Sequence, residues 1–150
     1  ENYFLDDGAY LVAKILILTA RLRLEKNSGL LSMLDGLKQP AEEKEFRIKL
    51  LEENFAAQGE NIIEGLKQYM QKVDGWIPAP VNYEGVRVSC SSVEEKGWFL
   101  LRLSLHDPVL PLNIESEIEG GVKKIAEKLE GFFKQFSNIN YDALVKYCGE

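Results

Sequence analysis

Between residues 42 and 50 the chain alternates. Phe46, Ile48 and Leu50 interleave with Glu45, Arg47 and Lys49, the period of a strand with one face buried and the other in water. A continuous helix over residues 42–51 is the competing reading of the same segment. Further on the period changes. Ile62, Ile63, Leu66, Met70 and Val73 recur at steps of three and four, which predicts a helix over 61–73, with a start as early as Asn54 left open and Asp74-Gly75 as its stop. Val86, Val88 and Cys90 alternate again, and the polar stretch 91–97 reads as a hairpin loop. Two more strands follow over 98–103 and 109–115. Gly120-Gly121 then opens the clearest helix of the chain. Its apolar face is Val122, Ile125, Ala126, Leu129, Phe132, Phe133 and Phe136, set against Lys123, Lys124, Glu127, Lys128 and Glu130. A last short helix is expected over 140–147.

From Glu42 onward the order is therefore β-α-β-β-β-α. That order predicts an α+β domain, a four-stranded antiparallel sheet with helices packed on one face. The first forty residues do not belong to the pattern. Asp6 and Asp7 are candidate N-caps for a helix carrying Ala9, Val12, Ile15, Leu16, Thr19 and Leu22 at helical spacing. Lys26-Asn27-Ser28-Gly29 reads as its stop, a short helical segment is expected over 30–37, and Gln39-Pro40 closes it. The expected division is a helical appendage over 1–40 and a domain over 41–150.

The bulk composition narrows the function classes. A formal charge of −6 argues against a general nucleic-acid or membrane-surface role, because both need a net basic face. The longest apolar run, residues 10–20, contains Lys14 and is too short for a membrane span, and the N-terminus lacks a signal-peptide layout. Cys90 and Cys148 lie far apart at no metal or redox spacing, so they read as reduced thiols of an intracellular protein, cytoplasmic or organellar and not secreted. With His106 the sole histidine, a His-based zinc site or a Ser-His-Asp triad is not expected.

Candidate chemistry concentrates in residues 98–114, WFLLRLSLHDPVLPLNI. An apolar strand runs into Arg102 and Ser104, breaks at Pro108, and resumes as a second apolar strand. An arginine suits bidentate phosphate capture, and a hydroxyl beside free backbone amides completes a small oxyanion cradle. An arginine in an apolar strand is equally a snorkelling or salt-bridged residue on this pattern alone.

The same window resembles the R-P-S-G-T-E-P loop of the C-terminal domain of the α-D-phosphohexomutases, which include phosphoglucomutase, phosphomannomutase and phosphoglucosamine mutase. Tyr83-Glu84-Gly85-Val86-Arg87-Val88 is similar to the family's D-G-V-R-V strand, and Gly97-Trp98-Phe99-Leu100-Leu101-Arg102 to its G-W-F-L-L-R strand. Asn113-Ile114-Glu115-Ser116-Glu117 is similar to the V-Y-V-E-A run before its final helix, and residues 2–16 resemble the end of its third domain. The resemblance implies a TBP-like domain four after the tail of domain three. It also implies a phosphosugar-binding loop made of Arg102, Ser104, Leu105 and His106, with Pro108 as the closing proline and Asp107 in place of a glutamate. Leu103, Leu105 and His106 depart from the family's proline, glycine and threonine, and Pro111-Leu112 from an arginine and valine. Leu105 keeps its N–H but does not take φ > 0 as cheaply as glycine, and His106 can donate to phosphate.

The activity so implied is interconversion of hexose 1-phosphate and hexose 6-phosphate, with Mg²⁺ expected for a full-length enzyme. The expected partners are a hexose phosphate or bisphosphate and the remaining mutase domains. The family's phosphoserine, metal and sugar-binding motifs are not in this sequence, so no catalytic residue and no cofactor are expected here. The alternative is a degenerate, non-catalytic module with a binding or regulatory role.

Overall fold

The alternation at the start of the domain is a strand, β1 (Glu42–Leu50), with Phe46, Ile48 and Leu50 buried and the residues between them exposed. The competing helix does not form. The computed structural model describes residues 8–83 and 85–149, in two compact units, Glu1–Lys38 and Gln39–Glu150. The proposed caps Asp6 and Asp7, and Glu84 of the strand motif, lie outside the described residues. In the first unit α1 (Gly8–Lys26) precedes a 3-10 turn at Leu30–Leu34, shorter than the helical segment expected there. No α1 side chain is buried.

The second unit continues with α2 (Phe55–Tyr69), β2 (Trp76–Pro78), β3 (Val86–Cys90), β4 (Gly97–Leu101), β5 (Val109–Ser116), α3 (Gly121–Phe133), β6 (Ile139–Asn140) and α4 (Asp142–Gly149). The sheet is antiparallel throughout, in the order β2-β3-β4-β5-β1-β6. It has six strands rather than the four expected. The additions are edge strands of three and two residues, too short to carry a period of their own. They form because β3 and β1 offer open ladders to pair with. Asn140 accordingly belongs to β6, and the last helix begins two residues later than its pattern suggested.

Period two places the buried strand residues, Pro111 apart, on one face. Val86, Val88, Cys90, Phe99, Leu101, Leu110, Leu112 and Ile114 meet Ile62 and Leu66 of α2, Val122, Ile125, Leu129, Phe132 and Phe133 of α3, and Leu144 of α4. Truncating a fully buried phenylalanine such as Phe99 or Phe132 to alanine costs about 3–5 kcal/mol. The helix caps explain where each helix starts. Asn54 Oδ1 accepts from the Ala57 N–H at 3.2 Å, so α2 begins at the earlier of the two expected positions. For α3 the cap is distant in sequence. Glu42 at the head of β1 accepts from the N–H groups of Gly120 and Val122 at 2.7 and 3.2 Å, so a strand residue caps this helix.

The β3–β4 turn is locked by buried polar contacts. Glu95, 1% exposed, accepts from the Trp76 indole N–H at 3.2 Å through Oε2. Among the described residues its Oε1 meets no donor other than the Lys128 ammonium of α3. The Glu95 carbonyl accepts from the Ser116 hydroxyl at 2.6 Å. Gly121 packs so closely here that a Cβ would stand 2.1 Å from Ser116 Oγ. Burial, and secondarily the Glu95 charge, push the neighbouring Cys90 thiol up to about 12, with Lys128 opposing. Burial, with a hydrogen bond to Glu130, raises Cys148 to about 11. Both cysteines are free thiols and poor nucleophiles near neutrality.

Candidate functional site

The loop between β4 and β5 owes its shape to a proline. The Arg102 N–H donates to the Pro111 carbonyl at 3.1 Å, but Pro111 has no N–H to return the bond. The ladder therefore lapses and β4 ends at Leu101, two residues before the end that its apolar pattern predicts. Beyond this point the Ser104 N–H still reaches the Val109 carbonyl at 3.1 Å, while the Val109 N–H turns to the Asp107 carbonyl at 2.7 Å. The Asp107 N–H donates to Ser104 Oγ at 3.2 Å, closing a tight turn.

Two close approaches hold this turn to the domain. Leu103 points inward onto α2, where a methyl group on Gly59 would lie 2.4 Å from Leu103 Cδ1. Gly85 has φ +81°, and a Cβ there would lie 2.1 Å from the Leu101 carbonyl and 2.7 Å from the Arg102 Cα. Only glycine fits that position, and it brings the start of β3 against the backbone of Arg102.

Since Leu101 and Leu103 face the core, alternation turns Arg102 and Ser104 outward, where both are half-buried. Among the described residues the Arg102 guanidinium makes no ion pair or hydrogen bond. The Leu105 and His106 N–H groups are likewise without a partner among those residues. Ser104 Oγ accepts one bond, which leaves its own O–H free to donate. Leu105 is 87% exposed and does not have a positive φ, so the missing glycine costs no backbone strain here. His106 and Asp107 are exposed at the tip. The four residues expected to bind phosphate thus share one loop, with donors that lack acceptors.

The register adds two residues that sequence reading missed. Arg47 pairs with Pro111 across β1 and β5, and Pro111 in turn lies opposite Arg102. Lys49 pairs with Val109, opposite Ser104. Arg47, Lys49 and Arg102 therefore occupy the loop end of the open sheet face. Its far end is acidic, with Glu43 paired to Glu115 beside a shallow groove that Glu43, Glu45, Asn113 and Glu115 help to line. At that acidic end Trp98 pairs with Glu115 and its indole N–H donates to the Glu115 carboxylate at 3.1 Å, while the Arg87 guanidinium lies 4.5 Å from the Trp98 ring. Among the described residues no group of three or more His, Cys, Asp or Glu side chains could hold a metal ion. No described helix is long and apolar enough to cross a membrane.

No protein-family model and no curated protein matches the chain. Among solved structures it is similar to a phosphoglucomutase/phosphomannomutase family protein from Burkholderia thailandensis, with a TM-score of 0.60 and 24% identity over 89% of this chain. The chain spans 25% of that protein's length. The α+β architecture described above is a phosphohexomutase-like fold.

Proposed function

We propose that this chain is the substrate-phosphate-binding domain of a phosphohexomutase, holding the non-reacting phosphate while hexose 1-phosphate and hexose 6-phosphate are interconverted. The observation that carries the reading is the loop after β4 within a phosphohexomutase-like fold, where the Arg102 guanidinium and two backbone N–H groups have no partner among the described residues and the Ser104 O–H is free to donate. On this reading residues 41–150 are the family's C-terminal domain, and residues 1–40 are the tail of the preceding domain with its linker. The phosphoserine and the Mg²⁺-binding aspartates belong to other domains, so this chain does no catalysis by itself.

The chemistry follows from the donor set. Arg102 offers two parallel N–H groups to phosphate oxygens, the Ser104 hydroxyl donates a third bond, and the Leu105 and His106 amides supply two more. Such donors recognise a phosphate and little of the sugar behind it. The same loop therefore serves whichever end of the hexose carries the phosphate that is not reacting. Holding that end also keeps the other in place for attack, which is where binding contributes to rate.

A ¹⁵N chemical-shift titration of the 150-residue chain with glucose 1,6-bisphosphate and with inorganic phosphate tests the proposal. Saturable shifts confined to residues 102–107 are expected, at millimolar affinity. A flat titration overturns it and favours the degenerate module, for which the exposed Leu105 at the loop tip is the apolar contact on offer.

A further inference from the structure

We infer that Arg47 and Lys49 of β1 complete the anion site with Arg102, so that the phosphate of a phosphomonoester sits over Pro111 on the open sheet face. This rests on the phosphate-binding reading of the loop and extends it to a strand 55 residues away in sequence.

Arg47, Pro111 and Arg102 form a row across three adjacent strands on the same face, with Lys49, Val109 and Ser104 in the next row. Neighbouring strands lie about 4.8 Å apart, so the backbones of Arg47 and Arg102 are separated by roughly 10 Å. Pro111 between them is buried and carries no side chain long enough to fill the gap. Two guanidiniums on three-methylene stems can close over that floor onto one phosphate, each with two parallel N–H groups.

The existing partners leave these cations available. Arg47 donates to Glu45 Oε1 at 3.2 Å, but both side chains are at least half exposed, and such pairs contribute little. Lys49, like Arg102, has no ion pair among the described residues. In a chain of net charge −6, three cations at one end of a face whose other end carries Glu43 and Glu115 set up a field that draws an anion toward the loop. A dianion bound among them relieves their mutual repulsion.

The test is a titration of the 150-residue chain with inorganic phosphate at pH 8, following the backbone amides and the arginine Nε–H resonances together. The Arg47 and Arg102 Nε–H signals are expected to move along one isotherm. Arg47→Ala is expected to weaken binding about tenfold and Lys49→Ala about threefold, while Lys67→Ala on α2 leaves it unchanged. Arg47→Lys, which keeps the charge and loses the fork, should fall between. Both β1 side chains are solvent-facing, so unchanged melting temperatures certify that the variants fold. If the loop amides and Arg102 respond while Arg47 stays still and Arg47→Ala binds as the unaltered chain does, this inference fails and the loop reading stands. If the unaltered chain shows no saturable binding, or Arg102→Ala binds equally well, the loop reading fails and this inference with it.

Discussion

Strand β4 begins and ends in turns of opposite character. At its start, Glu95 is buried and paired with Trp76 and Lys128, Ser116 bonds the Glu95 carbonyl, and Gly121 leaves no room for a methyl group. At its end, Arg102 and two backbone N–H groups have no partner among the described residues, and Leu105 is in water. Both turns are rich in polar groups, so polarity does not distinguish them. What distinguishes them is the fate of each donor. A buried polar group must find its partner within the protein, and its network then specifies the fold. Donors held open by a rigid scaffold are free for a ligand.

The sharpest way to break this contrast is Gly121→Ala. With Ser116 Oγ at 2.1 Å and the Glu95 carbonyl at 2.5 Å from the new Cβ, backbone must shift, and a loss of about 3 kcal/mol in urea unfolding is expected, with phosphate binding unaffected below the transition. Gly85→Ala comes next, at about 2 kcal/mol for the left-handed backbone and the clash with Leu101. It should also weaken phosphate binding, because the displaced backbone is that of Arg102; stability loss without a binding defect would uncouple Gly85 from the site. Arg102→Ala reverses the pattern. Its stability change should stay within about 0.5 kcal/mol, as for other surface positions, while phosphate shifts vanish. A melting temperature lowered by several degrees with binding retained would make Arg102 a structural residue.

One further effect is absent near neutrality and appears only in alkali. The Cys90 thiol ionises near its ordinary value of 9.0 when unfolded and near 12 when folded. Its contribution to stability is therefore complete below pH 9 and is lost as pH rises from 9 toward 12, by about 1 kcal/mol per unit. Cys90→Ala should flatten that alkaline slope. An unchanged slope would assign it to other groups.

Legibility in the sequence followed the same division. β1 and α3 were readable because each buries a long stripe on one side, so the period survives in the residue order. β2 and β6 were not, since two or three residues have no period and exist only by pairing with a neighbour. The early end of β4 was hidden because its cause, Pro111, lies on the partner strand. Nothing in the run Ser91-Ser92-Val93-Glu94-Glu95-Lys96 marks Glu95 rather than Glu94 as the buried acid. Arg102 and Ser104 could be singled out because the loop sequence is local. Arg47 and Lys49 read as the wet side of a strand, and only the register brings them beside the loop.

The two short edge strands also bear on how the folded domain behaves at high concentration. An exposed strand edge is a template on which another chain can add, and long flat edges lead to fibres. Here one border is three residues ending in Pro78, which has no N–H to offer, and the other is two residues that run into α4. β6 covers only Lys49 and Leu50 of β1, and along the rest of that edge the charged side chains of Glu43, Lys44, Glu45 and Arg47 oppose the docking of a flat apolar strand. The domain's sheet is thereby protected against growing by strand addition from neighbouring molecules.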